Sequence, residues 1–358
     1  MSKNIEWLSG NKLKADPTKK PKKITGTHFS EVLGLNPYAT EFEAWCRCTR
    51  TYEKPFEGNK YTHAGEVIEP KVFTFLRESM GFGDALVVPR DVYGDEPFKT
   101  TYGDFFPDKV VFGGMWDALI RGKDGNYEAV VEIKTVQVDG RSGTLEQRWK
   151  DGKAPDYQAL QASLYAYLLG VKKVLMVGVT LYDRNGDYEH PEEVVPSFLN
   201  SNVYIDSFDV YERYPKFNRY IDWAIRWWNT HVLTGESPEF DPKKDEEILT
   251  ALRTKTLNPE TDIKSLISEA ESLKSEIDKA TAAMADKTQR YKELTDQIKT
   301  FAINSMSDTD KYVQFDGTSY KWTLTRVDTP KLNEEALKAD GLYEKYITPT
   351  TTYRFTVK

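Results

Sequence analysis

Four residues in the middle of the chain have types and spacing suited to phosphodiester chemistry: Asp117 and, some 15 residues later, Glu132-Ile133-Lys134. Side chains alternate faces along a strand, so Glu132 and Lys134 share one face while Ile133 points to the core. Lys123-Asp124-Gly125-Asn126 reads as the turn of a hairpin, which sets Asp117 across from Glu132–Lys134. Two carboxylates and an ammonium then meet at one end of a sheet. Asp117, Glu132 and the Ile133 carbonyl offer the hard oxygen ligands that Mg²⁺ takes, with Mn²⁺ as a substitute. Such an ion lowers the pKa of its water and offsets charge developing on a phosphate. Lys134 could orient a water, or deprotonate it if burial or neighbours depress the pKa of the amine. The same spacing also fits an edge salt bridge between Glu132 and Lys134 with no chemistry attached.

These residues need a sheet and helices to hold them. Residues 1–23 read as irregular. Helices are expected from near Thr27, over 41–50 behind Thr40, and over 64–80, where Val67, Ile68, Val72, Phe73 and Leu76 recur at helical spacing. Strands are expected at 85–88, 113–120 and 127–134, a helix at 155–169, strands at 174–181 and 203–210, and a Trp-rich helix at 214–233. Helices followed by a mixed sheet with helices make an α/β arrangement. Gly235 to Pro242 marks a boundary. Residues 262–306 lack Gly and Pro and carry an apolar heptad seam from Ile263 and Leu266 to Ile298 and Phe301, interrupted only by Lys287. That is a coiled-coil signal, and a seam of this kind needs a partner. The tail reads as a hairpin (312–315 and 320–327), a helix (332–338) and a strand (352–357). The expected division is a catalytic domain over 1–235, a linker over 236–260, a coiled-coil helix over 261–306 and a small α+β unit over 307–358.

Composition sets limits. The 358 residues carry a formal net charge of −7 and 13% aromatics, enough for a packed core but not the basic balance usual in nucleic-acid binders. Basic surface must therefore be local, and Lys12, Lys14, Lys19, Lys20, Lys22 and Lys23 are its best candidates, or else a solvated lead-in. Cys46 and Cys48 read as semi-buried thiols, which with the lack of a signal peptide or a long apolar run suggests a cytoplasmic protein with no membrane contact. Trp223, Trp227 and Trp228 read as core more readily than as a base-stacking platform.

Gly113-Gly114-Met115-Trp116-Asp117-Ala118 with Val130-Val131-Glu132-Ile133-Lys134-Thr135 resembles the core signature of PD-(D/E)XK nucleases. Three further stretches, Ile24 to Ser30 with Leu33 to Tyr38, Gly65 to Pro70, and Tyr157 to Ala162, narrow the resemblance to the lambda exonuclease and YqaJ-like viral recombinase family over about residues 20–235. The resemblance implies a restriction-endonuclease-like fold and a metal-dependent nuclease acting on double-stranded DNA ends, 5′→3′, in concert with a single-strand annealing protein. It also implies homo-oligomers, rings among them, that encircle DNA. An endonuclease, or a scaffold with an inactive nuclease fold, are the other readings. Position by position, it implies that Glu69 is the helix carboxylate of the active site, with Glu66 as fallback. Gln161 falls at the active-site glutamine and Gln158 at a position that is tyrosine in lambda exonuclease. Thr27 falls where a hydroxyl meets the phosphate of the DNA end, or is simply an N-cap, and Lys20 where a basic side chain binds phosphate. Met115 replaces a hydroxyl residue, which bears on recognition of a 5′-phosphate. A further metal carboxylate would be Asp108 or Asp104, and His63 is a possible ligand.

Overall fold

An unbroken buried run, Ala129 to Ile133, lies within Tyr127–Val138, the longest strand among the described residues and one covered on both faces, and the other strands are ordered around it. The computed structural model describes residues 5–17, 20–55, 58–138, 144–254, 261–307, 310–327 and 334–341. They form two units, Met1–Thr256 and Leu257–Lys358.

The first unit opens with strands β1 (Ile5–Leu8), β2 (Lys12–Ala15) and β3 (Ile24–Thr25), then helices α1 (Gly26–Val32), α2 (Glu41–Cys48) and α3 (Lys60–Glu78). Next come β4 (Leu86–Val87), the short helices α4 (Pro89–Tyr93) and α5 (Pro97–Thr101), and strands β5 (Phe112–Gly113), β6 (Ala118–Arg121) and β7 (Tyr127–Val138). They are followed by α6 (Thr144–Lys150), α7 (Asp156–Leu169), β8 (Lys173–Tyr182), β9 (Val203–Asp209), α8 (Val210–Arg213), α9 (Phe217–Trp227) and α10 (Glu246–Arg253).

The main sheet has the order β4-β6-β7-β8-β9. Only β7 and β8 run parallel, and the connection between them carries α6 and α7, as a parallel pair requires. On one face Val131, Ile133, Val177 and Val179 pack with Ala64, Ile68, Val72 and Leu76 of α3. On the other, Leu119, Val130, Val136 and Met176 join Leu160 and Leu164 of α7 and Trp149 of α6. This is the expected α/β arrangement, a mixed sheet with helices on both faces.

Local chemistry accounts for the boundaries. The Asn59 side chain accepts the Tyr61 and Thr62 amides at 3.0 and 3.1 Å, so α3 begins at Lys60, four residues before the start expected at 64. Gly170 ends α7 at φ +73°. The Trp-rich helix is α-helical only to Trp227 and closes in a π turn over Trp228–Val232. Trp227 and Trp228 are core, whereas Trp223 is half exposed and donates from its indole N–H to the Val32 carbonyl at 3.3 Å.

Two expectations need correction. Residues 1–23 are not all irregular: β1 and β2 form an antiparallel hairpin whose turn uses positive φ at Gly10 and Asn11. Nor is 236–260 a linker as far as Thr254. Ser237 exchanges hydrogen bonds with the Leu13 backbone at 2.8 Å, Phe240 donates to the Asn11 carbonyl, and Ile248 and Leu249 of α10 join the core.

The second unit begins with the 44-residue helix α11 (Thr261–Asn304). Its seam residues Leu266, Leu273, Ile277, Met284 and Tyr291 are exposed in the single chain. A hairpin of β10 (Tyr312–Asp316) and β11 (Lys321–Thr325) packs on the end of α11, where the Phe301 and Phe315 rings lie 6.0 Å apart and Ala302 is buried. A short helix α12 (Glu334–Ala339) follows. The expected strand at 352–357 lies outside the described residues.

Candidate active site

β6 and β7 pair with Ala118 opposite Val131, so Asp117, one residue before β6, is level with Glu132. The carboxylate Oδ2 of Asp117 accepts the Ile133 amide at 2.7 Å, which ties the start of β6 to the middle of β7. The loop before Asp117 is held from below. Asp104 Oδ1 accepts the amides of Phe106 and Gly114 at 3.0 and 3.2 Å. The Lys23 ammonium bonds Asp104 Oδ2 at 2.6 Å and the Phe106 carbonyl at 2.7 Å. Gly114 has φ +116°, and a Cβ there would stand 2.7 Å from the Tyr165 hydroxyl, so glycine answers both a backbone and a space requirement.

Glu132 is wholly buried, and Ile133 points to the α3 side of the sheet as the alternation requires. Glu132 Oε1 accepts from the Lys134 ammonium at 2.6 Å and also from the Gln161 side-chain amide of α7. Glu132 Oε2 is buried with no hydrogen-bond partner. An unpartnered buried carboxylate oxygen is costly, and it marks the position where this group would meet a cation. α1 closes the site: a Cβ on Gly26 would lie 2.6 Å from Tyr165 Cζ and 2.8 Å from Gln161 Cγ, so this glycine lets α1 approach α7.

The electrostatics follow from burial. Burial, with help from the Asp117 charge, pushes the Glu132 carboxyl up to about 8. Burial and the Asp117 charge push Glu69 of α3 up to about 7. Asp117 is also raised by burial, although Lys134 and the Ile133 amide oppose the shift. Glu69 therefore stands within electrostatic range of Asp117, Glu132 and Lys134, on the helix that covers the opposite sheet face. Burial lowers the Lys134 pKa, but Glu132 and Asp117 outweigh it and the ammonium stays above its ordinary value. The Lys134 side chain is 22% exposed and ion-paired to Glu132 at 2.6 Å.

The cluster draws carboxylates from a strand, a strand edge and a helix. Among the described residues, the group of three ligands whose atoms all lie within 4.8 Å of one another is a different one, His190, Glu192 and Glu193, all exposed on a short 3-10 turn. Exposed acidic groups of this kind are common without an ion, and this one lacks the burial and the orphaned oxygen of the Asp117–Glu132 cluster.

Other sequence candidates fall outside the cluster or take structural roles. Asp108 is exposed and pairs with Lys109 at 3.0 Å. Asp104 holds the Gly114 loop instead of facing the site. His63 and Glu66 are exposed on α3. Thr27 is exposed in the first turn of α1 and is not its N-cap. That position is Thr25, whose hydroxyl bonds His28 Nδ1 at 2.7 Å. Gln158 is half-buried with an unpartnered Oε1, three residues before Gln161. Lys20 is exposed, its carbonyl accepting from Arg50 at 2.8 Å. Lys22 pairs with Glu53, Lys23 with Asp104 and Lys12 with Glu236, so those members of the basic cluster are anchored and not a loose lead-in. Cys46 and Cys48 are buried free thiols. No helix among the described residues is long and apolar enough to cross a membrane.

Sequence reasoning missed Tyr165, gave Gly26 and Gly114 no structural role, and placed Lys23 only in a basic cluster. The Gly113-Gly114 pair immediately before a catalytic strand was the available signal for a close backbone approach.

The chain is similar to several known proteins. Residues 18–172 match the profile of the YqaJ-like viral recombinase domain. The uncharacterized protein MG373 of Mycoplasma genitalium is 30% identical over 250 residues, covering 61% of this chain and 83% of that protein. Its homolog in Mycoplasma pneumoniae is 29% identical over 249 residues with the same coverage, 61% and 83%. Among solved structures, an alkaline exonuclease from Laribacter hongkongensis is 15% identical and superposes with a TM-score of 0.38 over 65% of this chain and 93% of its own. With residues 18–172 matched to that domain and a 30% identical relative covered over 83% of its length, the chain belongs to the YqaJ-like viral recombinase family.

Proposed function

We propose that this chain is a divalent-metal-dependent deoxyribonuclease that digests double-stranded DNA from its ends, 5′→3′, leaving single strands for an annealing protein to use in recombination. The observation that carries the reading is the meeting of Asp117, Glu132 and Lys134 at one strand end, with Glu132 Oε2 buried and unpartnered. Polarity and the recombination role rest on family membership.

The donor set fits a hard divalent ion. Asp117, Glu132, Glu69 and the Ile133 carbonyl offer only oxygen, and burial raises all three carboxyls, which a bound cation would reverse. When bound, Mg²⁺ or Mn²⁺ supplies Lewis-acid charge that offsets the negative charge building on the scissile phosphate. The protein's own groups do the rest. Lys134, kept protonated by Glu132, places a positive charge beside the phosphate and orients the attacking water through its N–H donors. Gln161 and Lys134 occupy Glu132 Oε1 and so turn Oε2 toward the ligand. The Asp117–Ile133 bond keeps the two strands in register under the substrate. Thr27 and Lys20, both exposed, and Gln158 are proposed contacts to the DNA backbone near the α1 end of the site. In the net reaction water adds to phosphorus, one P–O ester bond breaks, and the leaving oxygen takes a proton.

The test is end-dependence. Purified protein with Mg²⁺ should release nucleotides from linear duplex and leave covalently closed circles intact. Cleavage of closed circles would make it an endonuclease, and loss of both activities with retained DNA binding would make it a scaffold.

A further inference from the structure

We propose that α11 pairs with α11 of a second copy of this chain, antiparallel, in the register that sets Lys287 against the partner's Ala270. The helix leaves its seam uncovered: Leu266 is 61% exposed, Ile277 60% and Tyr291 61%. A continuous apolar stripe over some thirty residues is rare on a monomer and marks an interface.

The seam's own residues decide the orientation. In a parallel pair every position meets its own copy. Lys287 would then face the partner's Lys287 across the seam, two ammonium groups with no counter-charge. Ala270 and Ala280 would each meet alanine and leave underfilled layers, and Tyr291 would meet tyrosine. Turning one helix around repairs each fault at once. Lys287 lies over the partner's Ala270, whose small side chain leaves room for the lysine stem to run out to water. Ile277 fills the space beside the partner's Ala280, and Tyr291 packs on the partner's Leu266. Met284 meets the partner's Leu273 and Ile263 the partner's Leu294, so each layer pairs side chains that fill it, as a packed core requires.

Flanking charge agrees. The same register brings Glu269 beside the partner's Arg290, twice by symmetry. Within the chain Arg290 is bonded to Glu293 at 3.1 Å on an open surface, a contact of little strength that it can exchange or share. The far end agrees as well. Pairing in this register stops at Leu294, and beyond it Phe301 and Ala302 are engaged by the chain's own hairpin. Sliding by one heptad would instead drive Phe301 into the seam and set Lys287 against the partner's Ile277.

The test uses the full chain. Sedimentation equilibrium should give a dimer or an even-numbered assembly, while a monomer at micromolar concentration overturns the proposal. Chains carrying only Ala270→Cys are then mixed with chains carrying only Lys287→Cys and oxidised, Cys46 and Cys48 being buried. Antiparallel pairing gives predominantly the mixed 270–287 cross-link. Predominant homotypic cross-links would establish a parallel pair and overturn it. Glu269→Arg should raise the dissociation constant about tenfold, through two ion pairs turned repulsive. Adding Arg290→Glu should restore it in the antiparallel register, since each reversed charge again faces its opposite. No rescue, with helicity unchanged by circular dichroism, would also overturn the register.

Discussion

Raising the pH should destabilise the metal-free protein, and Mg²⁺ should reverse the effect. Carboxyls that ordinarily titrate at 4.5 hold their protons to about 8 at Glu132 and about 7 at Glu69 in the folded state. The folded state therefore binds more protons than the unfolded chain through this window, and stability falls as pH rises. The contribution is fully present below pH 4.5, falls steadily as pH rises from there, and is gone once Glu69 has ionised near 7 and Glu132 near 8. Each carboxyl costs the fold about 1.4 kcal/mol per pH unit until it ionises. The two share one electrostatic field, so their costs are not simply additive, and about 4 kcal/mol between pH 5 and pH 9 is the scale. In a unit of this size that corresponds to a fall of about 10 °C in Tm. Lys134, raised above its ordinary value, contributes stability at every pH below that value and does not alter the slope. A divalent cation competes with the same protons, so its stabilisation should be near zero at pH 5 and largest at pH 9. Thermal denaturation followed across this range, with chelator and with excess Mg²⁺, measures both curves. Glu132→Gln should flatten the chelator curve. A Tm that does not change with pH in chelator, or a Mg²⁺ shift no larger at pH 9 than at pH 5, would refute the reasoning.

Other perturbations have distinct signatures. Gln161→Ala removes one of two donors to Glu132 Oε1 and should lower kcat by 10–100-fold with little change in Tm, read by release of end-labelled nucleotide. Gly26→Ala would push a methyl into Tyr165 Cζ at 2.6 Å. It should cost about 1–3 kcal/mol by denaturant melt and lower activity through Gln161, whereas Gly58→Ala, where a Cβ meets nothing within 4 Å, should do neither. Asp104→Ala strands the Lys23 ammonium and the Gly114 amide, and should cost about 1–3 kcal/mol while leaving metal affinity within a few-fold, as measured by calorimetry. Lys134→Gln should cut kcat by about 10²–10³-fold without restoring activity at high pH, because the amine acts as a cation and not as a base.

Much of the site was readable because a strand's period is two and its register follows from one turn. The placement of Asp117 opposite Glu132, and of Ile133 on the far face, needed only the hairpin at Lys123–Asn126. The helix contributions were not derivable in that way. Glu69 and Gln161 sit on opposite faces of the sheet, and which turn of α3 or α7 reaches the strand end is a property of packing; family resemblance supplied them. Three features escaped for specific reasons. The β1–β2 hairpin has strands of only four residues, Ile5–Leu8 and Lys12–Ala15, too short for the alternation of Leu13 and Ala15 with Lys12 and Lys14 to stand out, although Gly10-Asn11 is a hairpin-turn pair. The segment after Gly235 looks like a linker by composition, but its Ser237 hydroxyl completes backbone bonding at β2. The protonation of Lys134 depends on how far Glu132 and Asp117 are desolvated, which is decided by the whole fold.

The central claim is that carboxylates from β7, the edge of β6 and α3 share one divalent ion beside Lys134. Crystals of the full chain soaked with Mn²⁺, with diffraction recorded for anomalous scattering, test it directly. The account predicts a strong peak bounded by the Asp117 and Glu132 carboxylates that vanishes in Asp117→Asn. A peak confined to His190, Glu192 and Glu193, or none near Glu132 Oε2, would contradict it.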